Sequence, residues 1–183
     1  MKKQILSLSE TSILVAMAVV LELIKKSLGF LNFLPYGGSI WFTMLPLIVI
    51  GIRRGLGWGI AGGITFAIVN YILDGYSFHW GTFIFDYLLA FGSLGLSGLA
   101  HKHKENMVCF ILAFVGVGLL RWVMHGLSGV FFFAEYTPEK YQDHVWFYSF
   151  IVYNLSLYMG PSTILTTALG VLLRKYIINE NLY

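Results

Sequence analysis

The chain has 183 residues, of which 57% are hydrophobic, 17% aromatic and only 11% charged, with a mean hydropathy of +0.75. Soluble domains carry about 25% charged residues, so this composition excludes an ordinary water-soluble enzyme and points to an integral membrane protein. The net charge of +3 does not argue for nucleic acid, because most of the basic residues flank apolar segments.

In chain order, the lengths of the apolar runs predict six membrane-crossing helices. The first covers roughly 10–32. Lys2, Lys3 and the apolar run from Ser12 to Ile24 are reminiscent of a signal peptide, but Glu10 precedes the run, Glu22 interrupts it and no cleavage site follows. It is therefore expected to be the first helix of the mature protein. The second, at 39–52, is short and carries Pro46. The third runs over 56–73 and the fourth over 80–100. The fifth, at 107–134, and the sixth, at 145–173, are long enough to tilt or protrude. No alternation of strand type is present, so helices are the expected spanning form.

Basic residues mark the cytoplasmic side of such a protein. Lys2, Lys3, Arg53, Arg54, Lys102, Lys104, Arg174 and Lys175 fall on one side, against Lys25, Lys26 and Lys140 on the other. Both termini are thus expected in the cytoplasm, and the acidic loop EYTPEKYQDH (Glu135–His144) outside. The whole chain reads as a single membrane domain. Its lone cysteine, Cys109, lies in an apolar run and supports no disulfide framework.

Small residues recur at four-residue spacing: Gly55, Gly59 and Gly63 in the third helix, Ser93 and Ser97 in the fourth, Ser12 and Ala16 in the first. Such faces let helices approach closely in lipid. For the glycines, packing within the chain is the simpler reading. For Ser12 and Ala16 a partner protein stands beside it.

The polar groups at membrane depth carry the functional signal. In FIFDYLLAFGSLGLSG, Asp86 stands near the start of an otherwise apolar run. A carboxylate at the bilayer centre costs about 2.5–3.5 kcal/mol by insertion scales, so it faces a cavity or a partner. A structural pair with Arg121 is the plain alternative. Arg121 and His125 are four apart and share a helix face. In FYSFIVYNLSLYMGPS, Tyr148, Tyr153, Asn154 and Tyr158 place hydroxyls and an amide just before Pro161. Tyr76, His79 and Trp80 form an aromatic loop near Asp86, a candidate lid, and Phe131, Phe132 and Phe133 end the fifth helix. This inventory suits a small aromatic solute, whether cationic or neutral. Glu22 has no assigned role and is expected near the outer interface, paired with Lys25 or Lys26.

The chain has no GxxxxGK[ST] phosphate loop, no metal-spaced histidine pair and no serine nucleophile motif. His101 and His103, in the basic loop HKHKEN, are expected to be solvated. An intramembrane enzyme using His125 and Asp86 lacks a nucleophile or metal partner, and the expectation is a non-enzyme without cofactor. A proton-coupled secondary transporter, with Asp86 or Glu22 as the coupling site, remains an alternative, although no repeat symmetry supports it.

Four segments, LPYGGSIWFTMLPLIVIGIRRG, FDYLLAFGSLGLSG, LLRWVMHGLSGVFFF and VWFYSFIVYNLSLYMGPS, occur in this order across nearly the whole chain. Together they resemble the thiamine-specific substrate-binding (S) components of energy-coupling factor vitamin transporters. The resemblance implies a six-helix bundle in the bacterial plasma membrane that binds thiamine from outside. It also implies partners, a shared transmembrane coupling protein and two cytoplasmic ATPases, with Ser12 and Ala16 at the coupling contact. By the same resemblance Asp86, where a better-known member has glutamate, bonds the aminopyrimidine and Tyr87 follows it. His125 contacts the ring, Arg121 holds a basic family position, Phe133 stands over the thiazolium and Asn154 supplies a polar contact. Tyr76, Tyr148 and Tyr153 complete the expected binding set. The Tyr148-to-Asn154 spacing is one residue longer than the family's, which leaves open which tyrosine faces the ligand. An S component for another vitamin or a pyrimidine precursor is the neighbouring alternative.

Overall fold

The computed structural model describes residues 2–28, 38–74 and 79–179. Among them are seven helices and no strand: α1 (Lys2–Ser27), α2 (Met44–Arg54), α3 (Leu56–Asp74), α4 (Trp80–His103), α5 (Met107–Phe132), α6 (145–172) and α7 (Arg174–Ile178). Short 3₁₀ turns at Ala134–Tyr136 and Glu139–His144 join α5 to α6. The predicted Tyr76, and residues 75–78 of the loop 74–80 expected as a lid, lie outside the described residues, as do 29–32 of the first predicted helix.

Two boundaries differ from expectation for physical reasons. α1 begins at Lys2, not near residue 10, because no proline or glycine interrupts Lys2–Ser27 and a helix can run on past its apolar stretch. α2 begins at Met44 and has 11 residues, giving about 16 Å at 1.5 Å per residue, roughly half the hydrocarbon thickness. The segment before it is not helical, because tertiary partners take its polar groups. Trp41 N donates to Ser162 Oγ (3.4 Å), Trp41 Nε1 to Leu21 O (3.2 Å), and Thr43 Oγ1 to Glu22 Oε2 (2.9 Å). The other long helices, α1, α3, α4 and α5, together with 139–172 containing α6, each have the length and hydropathy to span a bilayer.

α2 is buried on nearly every side, with Leu47, Ile50 and Ile52 at 0% exposure, and it forms the centre of the core with Phe66, Leu94, Phe110 and Phe114. Its junction with α3 is Gly55, whose φ of +85° only glycine adopts readily. Past that turn α3 lies against α4 backbone to backbone. A Cβ on Gly59 would meet the backbone of Gly95, and one on Gly63 the carbonyl of Phe91. The glycine stripe is therefore consumed inside the fold, as the simpler reading of the sequence has it. Ser97 joins the same contact by donating to Ile48 O (2.9 Å), whereas Ser93 bonds Ala90 O within its own helix.

One end of the bundle is tied by basic residues. Arg53 and Arg54 both clasp Glu10, and Arg53 Nη1 also donates to the carbonyls of Tyr176, Ile177 and Asn179 (3.3, 2.8 and 2.9 Å). Arg174 donates to Glu105 O at the α4–α5 turn, and His101 Nδ1 approaches Ile52 O at 2.9 Å. The expected solvated histidine is thus partly buried in packing. The start of α1 and the short α7 therefore share an end, opposite the end where Lys26 Nζ bonds Leu73 O (3.2 Å).

Two long helices turn π-helical in the half away from the basic end, and one of them turns 3₁₀ toward it. α4 is π-helical over Phe83–Leu89 and 3₁₀ over Ser93–His103, and α6 is π-helical over Tyr148–Tyr158. A π-helix bonds i to i+5, so residues five apart line up on one face, and such segments recur at functional sites.

Candidate binding site

Between these π-helical segments lies a cavity of about 200 Å³, lined by residues from α1, α3, α4, α5 and α6, from the non-helical segment before α2 and from the α5–α6 connection. Of the residues singled out from sequence, Asp86, Tyr87, Arg121, His125, Phe133, Tyr148, Tyr153 and Asn154 all line it. Ser12 and Ala16 are exposed on α1, away from the cavity lining.

Asp86 sits in the middle of the α4 π-segment and is fixed from α5. His125 Nδ1 stands 2.7 Å from Asp86 Oδ1, and Ser128 Oγ donates to Asp86 Oδ2 at 2.5 Å. A carboxylate only accepts, so Nδ1 is the donor and Nε2 is left pointing elsewhere. Nε2 is buried and has no hydrogen-bond partner among the described residues. A carboxylate has about four lone-pair sites, so Asp86 keeps acceptor capacity on a side chain still 19% exposed. The alternative Asp86–Arg121 pair is not what forms. Arg121 Nη2 donates to Tyr158 Oη (3.2 Å), and its guanidinium stacks 4.3 Å from the Phe91 ring centroid.

The π-pitch of α6 builds the aromatic wall. Tyr148, Tyr153 and Tyr158 are each five residues apart and form a ladder with ring centroids 6.3 and 6.5 Å apart. Both tyrosines left open by the sequence therefore face the cavity. The same spacing lets Asn154 Nδ2 donate to Ser149 O (2.8 Å), leaving Oδ1 buried and without a partner among the described residues. Tyr158 also meets the His125 ring edge to face at 5.2 Å. Tyr87 packs edge-on against Tyr71 at 5.3 Å. Phe133, at φ −121° just past the end of α5, turns into the cavity rim with Tyr136, their rings 6.2 Å apart.

Several expectations need correction. His79 caps α4, its Nδ1 accepting from Gly81 N (3.1 Å), and Trp80 is 71% exposed, so neither lines the cavity. The tryptophan in the lining is Trp41. Glu22 does pair with Lys25, but not at an open interface: it is 5% exposed, bonded by Thr43, and lines the cavity. Asn70, Ser128 and Tyr136 also escaped notice in the sequence. Asn70 is an isolated amide inside the apolar run of α3, the same kind of signal that marked Asp86.

An all-helical membrane bundle enclosing a pocket of carboxylate, imidazole, amide and a ladder of tyrosines is a solute-binding membrane protein. The chain belongs to the thiamine transporter protein family (Thia_YuaJ), whose profile matches residues 8–180. It is 31% identical over 174 residues to the thiamine transporter ThiT of Bacillus subtilis, covering 89% of this chain and 87% of that one. It is also 31% identical over 189 residues to the thiamine transporter ThiT of Lacticaseibacillus paracasei, covering 93% and 88%. The solved structure of ThiT from Listeria monocytogenes superposes with a TM-score of 0.72 at 23% identity, over 96% of this chain and 94% of that one. That likeness establishes a shared fold. Family and spans together make this a multi-pass protein of the cell membrane.

Proposed function

We propose that this chain is the thiamine-binding subunit of an energy-coupling factor importer, taking thiamine from outside the cell. Both relatives above bear the name of thiamine transporter, and the family carries the same description. The observation that carries the reading is the state of Asp86. It is anchored by His125 and Ser128 and retains acceptor sites toward a cavity walled by tyrosines. Thiamine joins an aminopyrimidine to a cationic thiazolium. Its amine donates to the remaining carboxylate sites, and its cation is attracted by the aromatic faces at Phe133 and Tyr136. Asn154 Oδ1 and His125 Nε2 are further polar atoms that a bound heterocycle can satisfy.

The energy for uptake comes from elsewhere, since the sequence has no phosphate loop. In this reading a transmembrane coupling protein and two cytoplasmic ATPases supply it. The exposed Ser12 and Ala16 on α1 form the contact, because small side chains permit close helix approach in lipid. Both ends of the chain then face the cytoplasm with the basic residues.

The test is titration of the detergent-purified protein with thiamine, followed by tryptophan fluorescence, with riboflavin as the control. Saturable quenching by thiamine at nanomolar concentration, absent with riboflavin, is the expected result. No response to thiamine, or an equal response to riboflavin, overturns the proposal.

A further inference from the structure

The side of the bundle facing away from the binding cavity has an opening of its own. α1 packs on α2 and α3, and α6 on α5 and α2, but α1 and α6 form no packed interface with each other. The gap between them is an apolar groove of about 460 Å³, more than twice the volume of the binding cavity. Its floor is Leu45, Pro46 and Val49 of α2. Ile13 and Met17 of α1 form one wall, 64% and 46% exposed, and Leu173 and Tyr176 form the other, 42% and 59% exposed. Along α1 the lining runs from Leu6 to Leu21. That is about 22 Å at 1.5 Å per residue, more than half of the roughly 30 Å hydrocarbon core. Ser12 and Ala16 are not part of this lining.

The groove is charged at one end only. Glu10 and Arg53 close it there, and Glu10 is clasped by both Arg53 and Arg54. Two guanidinium groups against one carboxylate leave one positive charge. Lys2 and Lys3 are exposed one turn before Leu6 on the same stripe of α1, and Lys175 is exposed beside Tyr176. Glu105, the other described carboxylate at this end, belongs to the α4–α5 turn and is not in the lining.

We infer that this groove is a site for one anionic phospholipid, with an acyl chain lying over α2 between α1 and α7 and the phosphate at the basic end. An apolar gap left empty forfeits dispersion contacts along its whole lining. The floor of α2 is apolar, so a hydrocarbon chain restores those contacts, and the groove opens onto the leaflet that supplies one. Basic residues between membrane helices at the headgroup level attract anionic lipid. A zwitterionic lipid offers the same chain without the net charge, so the lysines make the choice between the two.

The experiment is native mass spectrometry of the full-length protein, delipidated in detergent and mixed with equal amounts of dioleoyl-phosphatidylglycerol and dioleoyl-phosphatidylcholine. The unaltered protein is expected to retain a single lipid, and to prefer phosphatidylglycerol. Met17→Trp fills the groove with its own side chain and should lose that lipid. Leu112→Trp places the same bulk on the lipid-facing side of α5, where Leu112 is 61% exposed, and should keep it. Lys2→Gln combined with Lys3→Gln leaves the packing untouched and should lower the preference for phosphatidylglycerol by roughly five-fold per lysine. Thermal unfolding midpoints of all variants, read alongside, should match that of the unaltered protein. Retention of lipid by Met17→Trp to the same extent as the unaltered protein overturns the inference. So does equal retention of the two lipids, or a preference that the double lysine variant leaves unchanged. A delipidated protein that takes up no lipid and runs as a dimer shows the groove covered by a second copy instead, which also overturns it.

Discussion

The two halves of the bundle are built on opposite rules. Toward the basic end, α2, α3 and α4 meet through Gly59, Gly63 and Gly95 with backbones in contact, and Arg53 collects Glu10 and the α7 carbonyls. Toward the other end, α4 and α6 loosen into π-helix, and the side chains between them keep polar atoms that no described residue satisfies. The first half is held by backbone contact between α3 and α4 and by arginines bonded to Glu10 and to main-chain carbonyls. The second keeps His125 Nε2, Asn154 Oδ1 and Asn70 Oδ1 unpartnered among the described residues. In a low-dielectric site such groups make binding strong once a complementary ligand arrives. Close packing on one side holds the frame against which the other side can afford unsatisfied chemistry.

Substitutions that respect this division should affect one half without the other. The largest effect is expected from Asp86→Ala, which removes the anchored carboxylate. Losing one member of a buried charged pair costs about 2–5 kcal/mol, so thiamine affinity should fall by roughly thirty- to several-thousand-fold. The thermal unfolding midpoint should change little, and a variant that binds normally would remove Asp86 from the site. Gly95→Leu reverses the pattern. Its side chain has no room against Gly59 and Ile60, and overpacking of this kind costs about 1–3 kcal/mol of stability. Detergent-solubilised protein should unfold at lower temperature, and whatever remains folded should still bind. An unchanged unfolding midpoint would show that α3 and α4 can separate without penalty.

A smaller effect is expected for Asn154→Leu. It deletes one neutral hydrogen-bonding amide, worth about 0.5–1.5 kcal/mol, so thiamine should bind roughly two- to ten-fold more weakly in the same titration. A drop of a thousand-fold would mean that Asn154 holds the π-pitch of α6 through Ser149 and is not simply one contact among several. The least change in affinity belongs to the tryptophans. Trp41 lines the cavity and Trp80 is exposed. Trp41→Phe should therefore abolish most of the ligand-induced fluorescence change, and Trp80→Phe should preserve it. The opposite outcome would place the ligand beneath the start of α4.

Composition alone determined that the chain belongs in a membrane and that its long segments are helical, because an apolar backbone stretch in lipid must satisfy its own hydrogen bonds. The polar residues that stand out on an apolar background, Asp86, His125 and Asn154, were legible for the same reason: each is unfavourable where it stands unless something meets it. The tertiary structure decided what hydropathy does not encode. Asp86 took His125 and Ser128 as partners rather than Arg121, since partner choice depends on how α4 and α5 are rotated against each other. Tyr148 and Tyr153 both reached the cavity because α6 adopts a five-residue repeat, which a reading at 3.6 residues per turn cannot reveal. Glu22, which by sequence belongs to a lysine-flanked helix end, came to line the pocket because the non-helical residues before α2 bring Thr43 back onto it. Energetic penalty along one segment is a local property that sequence carries, whereas the partner that relieves it lies on another helix and exists only once the helices have packed.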